Sequence, residues 1–110
     1  MTTFQDRERA FEAKYAHDEE FRFLVGARRD KLLAEWAADR LRLLGQAKSD
    51  LTASVLAVRD GAGHDERLLR HLTETFLEHG SSAPDAEVSA ALTRYAIIAR
   101  QQLLDTPTGG

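Results

Sequence analysis

A chain of 110 residues is one small domain's worth, enough for a modest buried core but with little area to spare for a deep catalytic cleft. A net charge of −3 sets the molecule as a whole against phosphate backbones and so against a nucleic-acid role, and the absence of cysteine excludes disulfides, thiolate zinc sites, iron–sulfur clusters and cysteine nucleophiles. Two prolines and few β-branched residues favour helix over strand, so the composition predicts an all-α protein.

The N-terminal segment opens with a pair resembling a capping box, Thr3 with Asp6, from which a helix can start. Phe4, Phe11 and Tyr15 then fall on one face by steps of seven and four, in a surround of Asp6, Arg7, Glu8, Arg9, Glu12 and Lys14. Continuing those steps reaches Asp18 and Arg22, so the apolar stripe stops there, and the acids Asp18, Glu19 and Glu20 suit the first turn of a new helix. An isolated helix of about a dozen residues is barely stable in water, and three aromatics in a charged surround gain most by docking into a preformed groove. The segment therefore reads as a binding arm, helical when docked.

From about Phe21 to Leu44 the row Phe21, Val25, Leu32, Trp36 and Leu43 reads as a core face, with a weaker row through Phe23, Ala27, Ala34 and Leu41 on roughly the opposite side. Gly45 stands where a left-handed cap residue is expected. A shorter helix follows over about Lys48 to Asp60 with Leu51, Val55 and Val58 inward, stopped by Gly61 and Gly63. The third carries Leu68, Leu69, Leu72 and Phe76 from an N-cap at Asp65 to Gly80. Ser82, Pro84 and Asp85 open the fourth, which runs to about Leu104 through Val88, Leu92, Tyr95, Ile98 and Leu103. The whole predicts an arm over residues 1–18, a small four-helix bundle over 19–105 and a disordered tail over 106–110.

Chemistry leaves little trace. The carboxylates at Asp18, Glu19, Glu20 and at Asp65, Glu66 are neighbours that diverge around a helix, better explained as helix-start charges than as acid/base pairs. His64, His71 and His79 have no acidic partner completing an obvious metal set, and neither a phosphate-binding loop nor a nucleophile elbow occurs, so we expect no enzyme, no metal and no cofactor. Arg28, Arg29 and Lys31 read first as a solvated basic face. A competing function from another class is a nucleotide- or ligand-binding bundle that uses Arg28, Arg29 or the histidine-bearing third helix. No apolar run approaches the roughly 20 residues of a membrane span, and the N-terminus carries charges where a signal peptide needs an apolar core, which predicts a soluble, cytoplasmic protein.

The run Met1, Thr2, Thr3, Phe4, then Asp6 to Glu12, and on through Lys14, Tyr15, Ala16, His17, Asp18, Glu19 and Glu20, resembles the start of the zeta inhibitory subunit of the α-proteobacterial F-type ATP synthase. The likeness continues through Arg22, Phe23, Ala27, Arg28, Arg29, Lys31, Leu32, Leu33, Trp36, Ala37 and Ala38; beyond Leu44 it is one of helix layout. Arg9 and Tyr15 stand where the family more often has lysine and phenylalanine, and Leu24, Val25 and Gly26 replace a more polar stretch. The resemblance implies a bundle with a mobile arm that enters the catalytic head at an α/β interface beside the rotor and blocks rotation in the hydrolysing direction. It implies partner contacts from Thr3, Phe4, Arg7, Glu8, Arg9, Phe11, Glu12, Lys14 and Tyr15 to the α, β and γ subunits; a weakly bound nucleotide belongs to the competing ligand-binding reading. The protein would then sit partly at the inner membrane, held through the synthase. His17, where the arm meets the bundle, is a candidate pH switch.

Overall fold

The computed structural model describes the backbone of residues 4–81 and 83–105 and the side chains from residue 18 onward. Four helices account for it: α1 (Phe4–Arg40), α2 (Gly45–Leu56), α3 (His64–Glu78) and α4 (Asp85–Asp105), with no strand among the described residues. α1 packs along α4 and α2, and α3 closes the bundle against α4 and, more narrowly, α2. The α1–α4 pair is antiparallel: the Arg40 guanidinium meets the Glu87 carboxylate at one end, and Arg28 Nη1 donates to Gln102 Oε1 at 3.3 Å near the other. The expected all-α four-helix architecture is therefore what the chain adopts.

The expected restart at Asp18 to Glu20 does not occur. α1 is a single helix of 37 residues, about 55 Å long at 1.5 Å per residue. A change in which face is apolar does not interrupt backbone hydrogen bonding, and between Phe4 and Gly26 the sequence holds neither proline nor glycine to break it. The acids that suit a helix start lie in its middle, exposed.

α1 also ends earlier than Gly45 suggested. Leu43 N–H donates to the Ala38 carbonyl at 2.8 Å and Arg42 N–H to the Asp39 carbonyl at 3.1 Å, a Schellman closure with Arg42 in the left-handed position at φ 59°. A side chain there costs about 1 kcal/mol or more, which glycine would avoid. Gly45 instead begins α2, so that helix occupies Gly45–Leu56, ahead of the expected Lys48 to Asp60. α3 starts from Gly63, which has no side chain to cap it, and Asp65, expected as the N-cap, lies inside the first turn and bonds to Arg29 of α1. Gly63 has φ 79°, and a Cβ there would stand 3.0 Å from Arg67 Nη1. At the far end Ser81 N–H donates to the Phe76 carbonyl at 2.8 Å across left-handed Gly80, the stop the sequence indicated. α4 begins at Asp85 with Pro84 just before it; Ser82 lies outside the described residues.

The core comprises Leu33, Ala34, Ala37 and Ala38 of α1, Leu51 and Val55 of α2, Leu68, Leu72 and Phe76 of α3, and Val88, Ala91 and Leu92 of α4. Trp36 stands edge-on to Phe76 with centroids 5.8 Å apart, and the Arg40 guanidinium covers both rings at 5.8 and 5.7 Å. For α2, α3 and α4 these are largely the faces that hydrophobic spacing selects. For α1 they are not: the row Phe21, Val25, Leu32, Trp36, Leu43 is only half-buried, and the deepest side is the one carrying Leu33 and the three alanines. Alanine lets neighbouring helices approach closely, so α2 and α4 meet α1 there and leave the bulkier residues on the flanks of the contact.

Candidate functional site

Two features of α1 bear on function, its projecting N-terminal part and the joint that fixes it to the bundle. Counting back from the Arg28–Gln102 and Arg40–Glu87 contacts, the antiparallel register brings the end of α4 level with the Arg22 to Val25 region, and Arg100 of α4 lies 5.4 Å from the Phe21 ring. The α1 backbone from Phe4 to about Glu19 therefore continues past the end of its partner helix. Arg7, Glu8, Arg9, Phe11, Glu12, Lys14, Tyr15 and His17 belong to this stretch, as does Phe4; their side chains, and Thr3 altogether, lie outside the described residues. From residue 18 to 28 no side chain is buried, and Phe23 is 66% and Leu24 45% exposed. Leu56 of α2, half-exposed, lies beside each of them, Phe23 on one side and Leu24 on the other.

The joint lies just below, where α1 meets the α2–α3 connection. Asp30 is 5% exposed, in a row otherwise made of leucine and alanine. Arg29 Nε donates to Asp30 Oδ1 at 2.9 Å, and the same guanidinium reaches Asp65 at the start of α3, Nη2 to Oδ1 at 2.7 Å. His64 Nε2 lies 2.7 Å from Asp30 Oδ2, while its Nδ1 faces the Arg59 carbonyl at 2.9 Å and Asp60 Oδ1 at 3.7 Å. Arg67 donates to the carbonyls of Arg59, Asp60 and Ala62, tying the connection to α3. An aspartate taken from water needs such partners, since an unpaired buried charge costs several kcal/mol.

Burial is the largest influence on His64 and lowers its pKa, but the bond to the Arg59 carbonyl, the bond and charge of Asp30 and the charge of Asp60 together hold it above the ordinary histidine value. Burial likewise works against charged Arg29 and is outweighed by Asp65 and Asp30, so the guanidinium stays firmly protonated. Sequence spacing could not reveal this cluster. Asp30 and His64 are 34 positions apart, and the one local signal was a charge at a position where α1 otherwise presents apolar side chains to its neighbours.

The residues considered for a ligand are dispersed. Arg28 is exposed and bonded to Gln102, Arg29 is engaged by two carboxylates, and Lys31 is exposed beside Leu24 and Leu103. A cleft of about 400 Å³ beside the joint is open to solvent and presents both signs of charge, with Arg22 and Arg29 against Asp30 and Asp60. His71 Nε2 meets Ser54 Oγ at 2.9 Å and His79 Nδ1 meets the Thr75 carbonyl at 2.9 Å, so the three histidines of this region point to three different places. Among the described residues no group of three or more His, Asp or Glu side chains is arranged to hold a metal, and no helix is long and apolar enough to cross a membrane.

The family model described as ATPase inhibitor subunit zeta matches residues 1–102. No curated protein and no solved structure matches the chain.

Proposed function

The chain belongs to the ATPase inhibitor subunit zeta family, and from that membership we propose that it restrains ATP hydrolysis by an F-type ATP synthase through the N-terminal part of α1, which enters an α/β catalytic interface beside the rotor. The observation that carries this reading is the asymmetry of α1: one helix of 37 residues in which, among the described side chains, the first buried one is Asp30. The bundle grips residues 30–40; the rest extends along and beyond α4. A rod of this kind, with Phe4, Phe11 and Tyr15 spaced along one face, suits a groove between subunits, where aromatic burial supplies affinity and the flanking charges fix register. The bundle, too broad to follow, acts as a stop. In this reading the arm comprises residues 1–18, its contacts are Thr3, Phe4, Arg7, Glu8, Arg9, Phe11, Glu12, Lys14 and Tyr15, and its partners are the α, β and γ subunits. The protein works at the cytoplasmic side of the inner membrane, held there through the synthase.

Deleting residues 2–16 tests it. Hydrolysis by the cognate enzyme should be inhibited by the full chain and not by the truncated one, while circular dichroism shows the bundle helices retained. Full inhibition by the truncated bundle would rule the arm out.

A further inference from the structure

A ring nitrogen that faces an oxygen able only to accept must carry a proton if a hydrogen bond is to form. Both nitrogens of His64 are so placed, Nδ1 at 2.9 Å from the Arg59 carbonyl and Nε2 at 2.7 Å from Asp30 Oδ2. Neutral imidazole has a single N–H, so either tautomer satisfies one oxygen and turns a lone pair on the other. Imidazolium satisfies both. We infer that His64 is held as the imidazolium and that its proton fastens α1 to the α2–α3 connection, making the joint of the projecting helix a proton-dependent latch.

The surroundings support this from each side. From α1, Asp30 offers Oδ2 to His64 because Arg29 occupies Oδ1, and Arg22 lies across the adjoining cleft. From the connection, Asp60 stands 3.7 Å from Nδ1, and the Arg59 carbonyl accepts from both His64 and Arg67 Nη2, while the Arg59 side chain is exposed. From α3 itself, Asp65 is drawn off to Arg29 and Arg67 to backbone carbonyls. Loss of the proton would leave one N–H for two acceptors, so that either the Arg59 carbonyl faces a ring lone pair or Asp30, almost wholly buried, keeps Arg29 as its remaining described partner.

The direction with pH follows. A histidine whose folded pKa is raised contributes its full stabilisation below the unfolded value of about 6.5 and loses it as pH climbs through the folded value. The latch is therefore closed below the ordinary histidine value and loosens as the pH rises above it. It stands whether or not the N-terminal helix is the inhibitory element, because its readouts lie in the free protein.

Ring-nitrogen NMR on the full chain across about pH 5 to 9 decides it, over a range set by the ordinary histidine value. Both His64 nitrogens should be protonated at pH values below the ordinary histidine value of about 6.5, with a midpoint above it that falls in Asp30→Asn. The folding equilibrium of the parent relative to His64→Gln should drop on raising the pH, by about tenfold for each unit that the folded midpoint exceeds the unfolded one. Amide exchange around residues 26–33 should quicken over the same range. A midpoint at or below the ordinary value overturns the inference, and that measurement needs only the parent even if Asp30→Asn fails to fold. Unchanged amide exchange across the titration would overturn the latch itself.

Discussion

Residues 30–40 and 18–28 of α1 belong to one helix under two sets of constraints. In the first, Leu33, Ala34, Ala37 and Ala38 are fully buried and Asp30 nearly so; in the second no side chain is buried, and a phenylalanine and a leucine stand in solvent. Tertiary packing governs the lower stretch, where side-chain volume decides how near α2 and α4 come. The upper stretch persists on intrinsic propensity, a flank of α4 and continuity with what lies below. In a helix gripped at one end, the gripped and the exposed stretches can be altered separately.

The contrast breaks most severely if the platform is hollowed. Phe76→Ala removes a fully buried ring together with its edge contact to Trp36, and should destabilise the bundle by about 3–5 kcal/mol, read from urea unfolding. Next comes overpacking: Ala37→Leu places a branched side chain at a fully buried position of the core and should cost about 1–3 kcal/mol in the same measurement. The smallest effect has the opposite sign. At Gly26 an added Cβ meets nothing within 4 Å, so Gly26→Ala should stabilise the upper stretch by up to about 1 kcal/mol, with higher helicity and slower amide exchange there. Comparable destabilisation by Ala37→Leu and Gly26→Ala would erase the distinction between the two regions.

Much of the architecture was legible in the residues. The inward rows of α2, α3 and α4 follow from apolar spacing, and Gly80 marks its stop because a left-handed residue closes the Schellman turn. α1 was harder for two reasons. Spacing gives greater weight to large side chains, so it pointed to the Phe21–Trp36 row, whereas close approach of helices favours the alanine side. Acidic runs also serve equally well at a helix start and on an exposed middle turn, so the charges at Asp18 to Glu20 did not distinguish a new helix from a continuing one. The row Phe4, Phe11 and Tyr15 stood out because it is periodic and set among charges. The joint did not, since its carboxylate, guanidinium and imidazole come from separate elements.

By itself, then, the sequence determined the helical class, four amphipathic segments and a charged N-terminal face with three aromatics, because each depends on residues within a few turns of one another. It also carried the dense likeness over its first 40 or so residues to the family whose model spans residues 1–102. Only the tertiary structure decided that α1 is unbroken, that its alanine side is the buried one, and that Asp30 meets His64 across the fold. The reason is physical: local spacing sets which faces can be buried, but the partner that covers a face is chosen by shape and charge arriving from distant parts of the chain.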